Sequence, residues 1–134
     1  MNQIILISLL ILIFTLIFFS VYFIPVLFAK IIARTNGLTL NWKQAKFVAK
    51  NYCLRKDFLI GVKEIWELHP IPIEKLTTHY LAGGNLNNIK NGLIEFDIRN
   101  KEPDIWFLTT FDLAQRNLPK EIEKAEKNDW KFEL

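Results

Sequence analysis

From Ile4 to Ala29 the chain runs for 26 residues without a charged side chain, and only Ser8, Thr15, Ser20 and Tyr22 interrupt its apolar character. No other feature restricts the fold as much. At 1.5 Å of rise per residue, Ile4 to Ile24 alone makes a helix of about 31 Å, matching the hydrocarbon core of a bilayer. Inside hydrocarbon every backbone amide needs an internal partner, which a lone uncharged run finds only as a helix. Pro25 falls where such a span leaves the lipid. A cleaved secretory signal would open with a basic stretch and carry a shorter apolar core, whereas here no Lys or Arg precedes Lys30. Burying so apolar a helix in a soluble protein would take a far larger body than the 105 residues beyond Ala29 provide.

Charge then sets an expected orientation. Seven of the 17 basic residues (Lys30, Arg34, Lys43, Lys46, Lys50, Arg55 and Lys56) precede the first of the 14 acidic ones, Asp57. Residues 1–56 therefore carry +7 and the remainder −4, an asymmetry hidden in the net +3. Basic residues flanking one end of a span keep that end in the cytoplasm, so the amino terminus is expected outside and the bulk inside. Positives crowded against a membrane exit point to anionic headgroups rather than nucleic acid. The single cysteine, Cys53, has no internal disulfide partner, which suits a reducing compartment, and it reads as a small apolar residue on a helix face.

Asn41 and Gln44 form a capping-box pattern at the head of a segment in which Trp42, Ala45, Ala49 and Tyr52 recur every three or four residues beside a lysine stripe. Two readings stand. Either this amphipathic helix lies in the headgroup layer, with Trp42, Lys43, Lys46, Lys50, Arg55 and Lys56 as membrane-surface contacts, or it packs on the domain that follows. Further on, Phe58, Leu59, Val62, Ile65 and Trp66 predict an amphipathic helix ending before Pro70. Ile73, Leu76 and Tyr80 line a short helix running into Gly83 and Gly84. Asn85 begins another with Leu86, Ile89, Leu93 and Phe96, and Pro103–Asp104 opens one whose face holds Phe107, Phe111, Ala114 and Leu118. No stretch alternates with period two, so the fold class expected is all-α. After Pro119 the mostly charged KEIEKAEKNDWKFEL reads as a loose tail, with Glu123 and Lys127 able to pair at i, i+4.

Residues that carry chemistry are scarce. His69 and His79 stand ten apart with no carboxylate or cysteine at metal-ligand spacing, and no nucleophile elbow or phosphate loop occurs. Glycine after a helix and asparagine before the next explain Ala82-Gly83-Gly84-Asn85 as paired caps rather than an anion cradle. Asp112 and Arg116 read as an exposed i, i+4 pair. The expectation is a protein without enzymatic activity, cofactor or metal.

The stretch from Leu76 to Leu118 is similar to part of the bacterial flotillin-like protein A family. The specific pieces are His79-Tyr80-Leu81-Ala82-Gly83-Gly84-Asn85 and Phe111-Asp112-Leu113-Ala114-Gln115-Arg116, with Phe23-Ile24-Pro25-Val26 and the basic Leu54-Arg55-Lys56 at similar places upstream. The chain has Gln115 where the family motif has glycine. The resemblance implies that His79, Tyr80, Gly83, Gly84, Asn85, Asp112 and Arg116 are structural motif positions. It also implies membrane-bound scaffolding, with a homo-oligomer or a full-length flotillin-like protein as partner. The family's long band-7-type domain has no counterpart within these 134 residues. The expected layout is a transmembrane anchor over 1–29, a basic juxtamembrane segment over 30–56, a small cytoplasmic helical domain over 57–118 and a charged tail over 119–134. The expected role is a membrane-anchored scaffold or adaptor. The rival readings are an accessory subunit of a membrane enzyme or transporter and a truncated duplicate with no retained role.

Overall fold

A computed structural model describes residues 2–130, and these form seven helices with no strand among them. The first, α1 (Asn2–Thr35), continues unbroken through Pro25 and ends well past Ala29. The boundary expected at residue 29 is therefore not a structural one. Large apolar side chains from Ile4 to Ile24 are exposed around the whole circumference of α1, and Val26, Ala29 and Ala33 are buried. That stripe, spaced three and four apart, seats α2 (Trp42–Lys50). Small residues on both helices, Ala29 and Ala33 on one and Ala45 with Val48 on the other, let the two backbones approach. Gly37, at φ +78, supplies the left-handed residue that ends α1, with Leu38 donating to the Ala33 carbonyl.

The capping box forms as expected: Asn41 accepts from the Gln44 amide while the Gln44 side chain accepts from the Asn41 amide, both at 2.9 Å. Tyr52 corrects the face assigned to α2. It lies beyond the helix in the left-handed region (φ +55) and is 89% exposed, so the buried stripe is Ala45 and Val48 instead. The helix packs on both α1 and α4, so it does dock on the domain. Cys53 is buried just behind it, and burial raises its thiol pKa.

The body of the domain comprises α3 (Lys56–Leu68), α4 (Ile73–Leu81), α5 (Leu86–Ile98), α6 (Ile105–Leu113) and α7 (Leu118–Lys127). At its centre α5 packs against α3, α6 and α7. Its stripe of Leu86, Ile89, Leu93 and Phe96 is buried, each large side chain contributing roughly 1.5–3 kcal/mol. Gly92 lies on the same face because a Cβ there would meet Leu108 at 2.5 Å. Phe96 meets Phe107 edge-on at 6.2 Å, and Phe107 lies 4.3 Å from Phe111. Asp104 caps α6 by accepting from the Phe107 amide, and Trp66 donates to the Ile71 carbonyl to hold the Pro70–Pro72 linker.

The loose tail expected after Pro119 is corrected by α7. Asn117 caps this helix, Leu118, Ile122 and Ala125 are buried, and Arg99 bridges Glu95 of α5 and Glu126 of α7. Three apolar residues at spacings of four and three were enough to dock a helix that is otherwise charged. Glu123 and Lys127 do pair, at 2.8 Å. Trp130 stacks on Phe96 with ring centroids 5.9 Å apart. Phe132 and Leu134 lie outside the described residues.

Candidate functional site

Two places concentrate polar groups, and they differ in kind. The first is a collar of aromatic and basic residues where α1 meets α2. Trp42 packs on Phe23 with centroids 5.5 Å apart, the Lys30 ammonium lies 5.9 Å from the Trp42 ring, and the Lys46 ammonium lies 5.6 Å from the Tyr22 ring. Aromatic rings interleaved with cations suit the boundary between acyl chains and headgroups. From Ile4 to Tyr22 a helix rises about 27 Å, close to the thickness of a bilayer's hydrocarbon core, so the collar follows a stretch long enough to cross one. Among the sequence-expected contacts, Trp42 and Lys46 join this collar, and Lys43 and Lys50 are exposed on the same short helix. Arg55 does not join it. Its guanidinium makes two 3.1 Å bonds to Asp57, whose carboxylate also accepts from the Tyr80 hydroxyl at 3.0 Å. The Arg55 bonds hold the Asp57 carboxyl below its ordinary range, while burial and then the bond to Asp57 raise Tyr80. Tyr80 is thus a tie between α3 and α4. Lys56 opens α3 and is exposed.

The second place is a buried polar knot. Asp112, 5% exposed, accepts from His79 Nε2 at 2.7 Å and from the Asn85 amide at 2.6 Å on one oxygen, and from Asn88 Nδ2 at 2.6 Å on the other. The expected exposed pairing with Arg116 is corrected. Asp112 is buried, α6 ends at Leu113, and Arg116 follows a left-handed turn, its guanidinium 4.9 Å from the Phe111 ring and 3.7 Å from Glu121. Burial opposes the charge on Asp112. Hydrogen bonds from His79, the Asn85 amide and Asn88 outweigh it and lower the carboxyl pKa. The amino end of α5 adds its dipole to the same carboxylate.

Of the residues singled out in the sequence, His79, Gly83, Gly84, Asn85 and Asp112 build this knot, and the Tyr80 and Arg116 side chains do not. Gly83 (φ +91) and Gly84 close α4 with amides donated to the Tyr80 and His79 carbonyls, the pairing of a Schellman cap. Gly84 has a second role: a Cβ there would fall 2.2 Å from His79 Nε2. Asn85 then caps α5 by accepting from the Asn87 and Asn88 amides. The sequence reading missed Asn88, which also donates to the Arg116 carbonyl and accepts from the Leu118 amide, lacing α5 to the α6–α7 turn. Its only signal was position, three residues after a cap. Buried Thr77 Oγ1 and His79 Nδ1 make no protein hydrogen bond. Among the described residues no group of three potential metal ligands converges. His79 also lines a groove between α4 and α6 with Glu74, Lys75, Ile105 and the 62%-exposed Trp106.

Comparison with protein-family models, curated proteins and solved structures returned no match.

Proposed function

We propose that this protein is a membrane-anchored, non-enzymatic scaffold or adaptor whose helical domain lies on the cytoplasmic face. The observation that carries the reading is the contrast along α1. Its segment from Ile4 to Ile24 is apolar and exposed on every side, with α2 touching it only at Tyr22 and Phe23 among the described residues, and α2 buries a single stripe of its last turns, Val26, Ala29 and Ala33. Such a surface is stable in lipid and insoluble in water. The cytoplasmic assignment rests on the seven cations that follow the span. The knot around Asp112 fits a structural role, because its carboxylate is fully engaged by His79, the Asn85 amide and Asn88 and the knot joins the end of α4 to the start of α5. Trp106 and Leu113, exposed at the α4–α6 groove, offer a surface for a protein partner. Similarity to flotillin-like proteins makes a full-length member of that family, or a second copy of this chain, the partner of choice.

Alkaline carbonate washing and crosslinking in intact membranes test the reading together. The chain is expected to stay with the membrane until detergent is added and to crosslink to itself or to a flotillin-like protein. Release by carbonate alone would overturn the anchor, and capture only within a catalytic or transport complex would favour the accessory-subunit role.

A further inference from the structure

A groove of about 540 Å³ runs up the outer face of α1 to the turn that follows it. One of its rows is Leu27 and Ile31, one turn apart and more than half exposed. The row beside it on the same face of the helix is Lys30 and Arg34, also one turn apart, and Leu38 and Leu40 close its far end. An apolar row and a cationic row therefore run side by side, the pairing that an acyl chain and its phosphate present together. We propose that this groove holds one anionic phospholipid, its phosphate between Lys30 and Arg34 and the head of an acyl chain along Leu27 and Ile31.

The charges there are uncompensated. No acidic residue precedes Asp57 in the chain, and Asp57 is engaged by Arg55 and Tyr80. Neither Lys30 nor Arg34 has a carboxylate partner among the described residues. The helix carbonyls that a cation at this end would otherwise serve are already taken: Ile32 accepts from Thr35 and Asn36 side chains, Ala33 from the Leu38 amide and Arg34 from the Gly37 amide. A third cation stands nearby, since a Cβ on Gly37 would lie 3.3 Å from the Lys63 ammonium, but Lys63 also faces Glu67 at 3.8 Å. The site is accordingly assigned to Lys30 and Arg34, and its depth comes from the collar beside it, where Trp42 packs on Phe23 within reach of Lys30.

The inference rests on α1 spanning the membrane. The full chain, purified in neutral detergent, is titrated with phosphatidylglycerol and with phosphatidylcholine, and retained lipid is counted by native mass spectrometry. One phosphatidylglycerol per chain is expected, in preference to phosphatidylcholine. The double variant Lys30→Gln/Arg34→Gln should bind it about thirtyfold more weakly, the effect of two juxtamembrane cations. Lys75→Gln/Lys120→Gln, which removes the same charge from exposed positions on α4 and α7, should change it by less than about threefold. Ile31→Trp, which fills the groove without altering charge, should also weaken binding, and it keeps the test decisive if the double variant misfolds. Equal losses from both charge pairs, equal retention of the two lipids, or displacement by inorganic phosphate alone would overturn the site. A chain that stays in carbonate-washed membranes while showing any of these results loses the lipid site and keeps its anchor. A chain that purifies without detergent loses both.

Discussion

Helices α1 and α5 are both rich in leucine and isoleucine, yet they solve opposite problems. In α5 most apolar residues occupy one stripe that three neighbouring helices cover, and only Ile94 and Ile98 join Asn87, Lys90, Asn91 and Asp97 outside it. In α1 they occupy every face, and among the described residues none is buried before Val26. The comparison shows that hydrophobic content says little about where a helix goes, whereas its angular distribution says a great deal. It also divides the sources of stability: the domain draws on its own core and on the knot around Asp112, whereas α1, on the proposed reading, draws on lipid.

The sharpest way to break that division is at the knot. Asp112→Ala leaves His79, the Asn85 amide and Asn88 without their acceptor and should cost the domain about 3–5 kcal/mol, read as a lowered thermal midpoint with membrane attachment intact. The same carboxylate gives a pH signature. Its folded pKa lies below the unfolded value of about 3.9, so its stabilisation is complete above that value and is lost as pH falls through the folded pKa. Asp112→Asn should therefore flatten the acid limb of the stability curve while lowering the plateau at pH 7.

Matched truncations come next. Ile89→Ala in α5, at a position with no exposure, should lower domain stability by about 2–5 kcal/mol. Ile13→Ala in α1 should leave the domain's melting unchanged, and an equal effect of the two would erase the distinction drawn between the helices. A smaller loss, about 1–3 kcal/mol, is expected for Gly84→Ala, because the added methyl meets His79. Its effect should shrink in a His79→Ala background, which a double-mutant cycle would reveal. The smallest effect has the opposite sign. Gln115 ends α6 at φ +57, with its amide donated to Asp112 O and the Arg116 amide to Phe111 O. Gln115→Gly should stabilise the domain by about 1 kcal/mol by relieving the left-handed strain.

That last position shows how much could be read in advance. The left-handed backbone at Gln115 is where glycine would be least strained, yet a single sequence with glutamine there does not announce the turn. Helix identities and most boundaries followed from periodicity and caps, as at Asn41 and Asn85, because these signals act within a few residues. What stayed hidden needed contacts between distant residues. His79 and Asp112 are 33 residues apart in sequence, and nothing local distinguishes a carboxylate that will be buried from one left in water. The docking of α7 was hidden for a related reason: Leu118, Ile122 and Ala125 form a narrow stripe within a charged segment, and only the waiting surface of α5 gives it value. Tyr52 was assigned to a helical face because its spacing fits, but the helix stops just before it.

Pro25 lies within α1, so the carbonyl of Val21 lacks the amide that would normally reach it one turn later. The omission comes beside Tyr22, at the rim where water can take the place of that amide. A rod with one internal strut removed bends most easily at that point. On the proposed membrane reading, the mast would lean to suit thicker or thinner lipid while α2 stays clamped to Val26, Ala29 and Ala33, so that the domain would keep its attitude to the membrane plane as the anchor tilts.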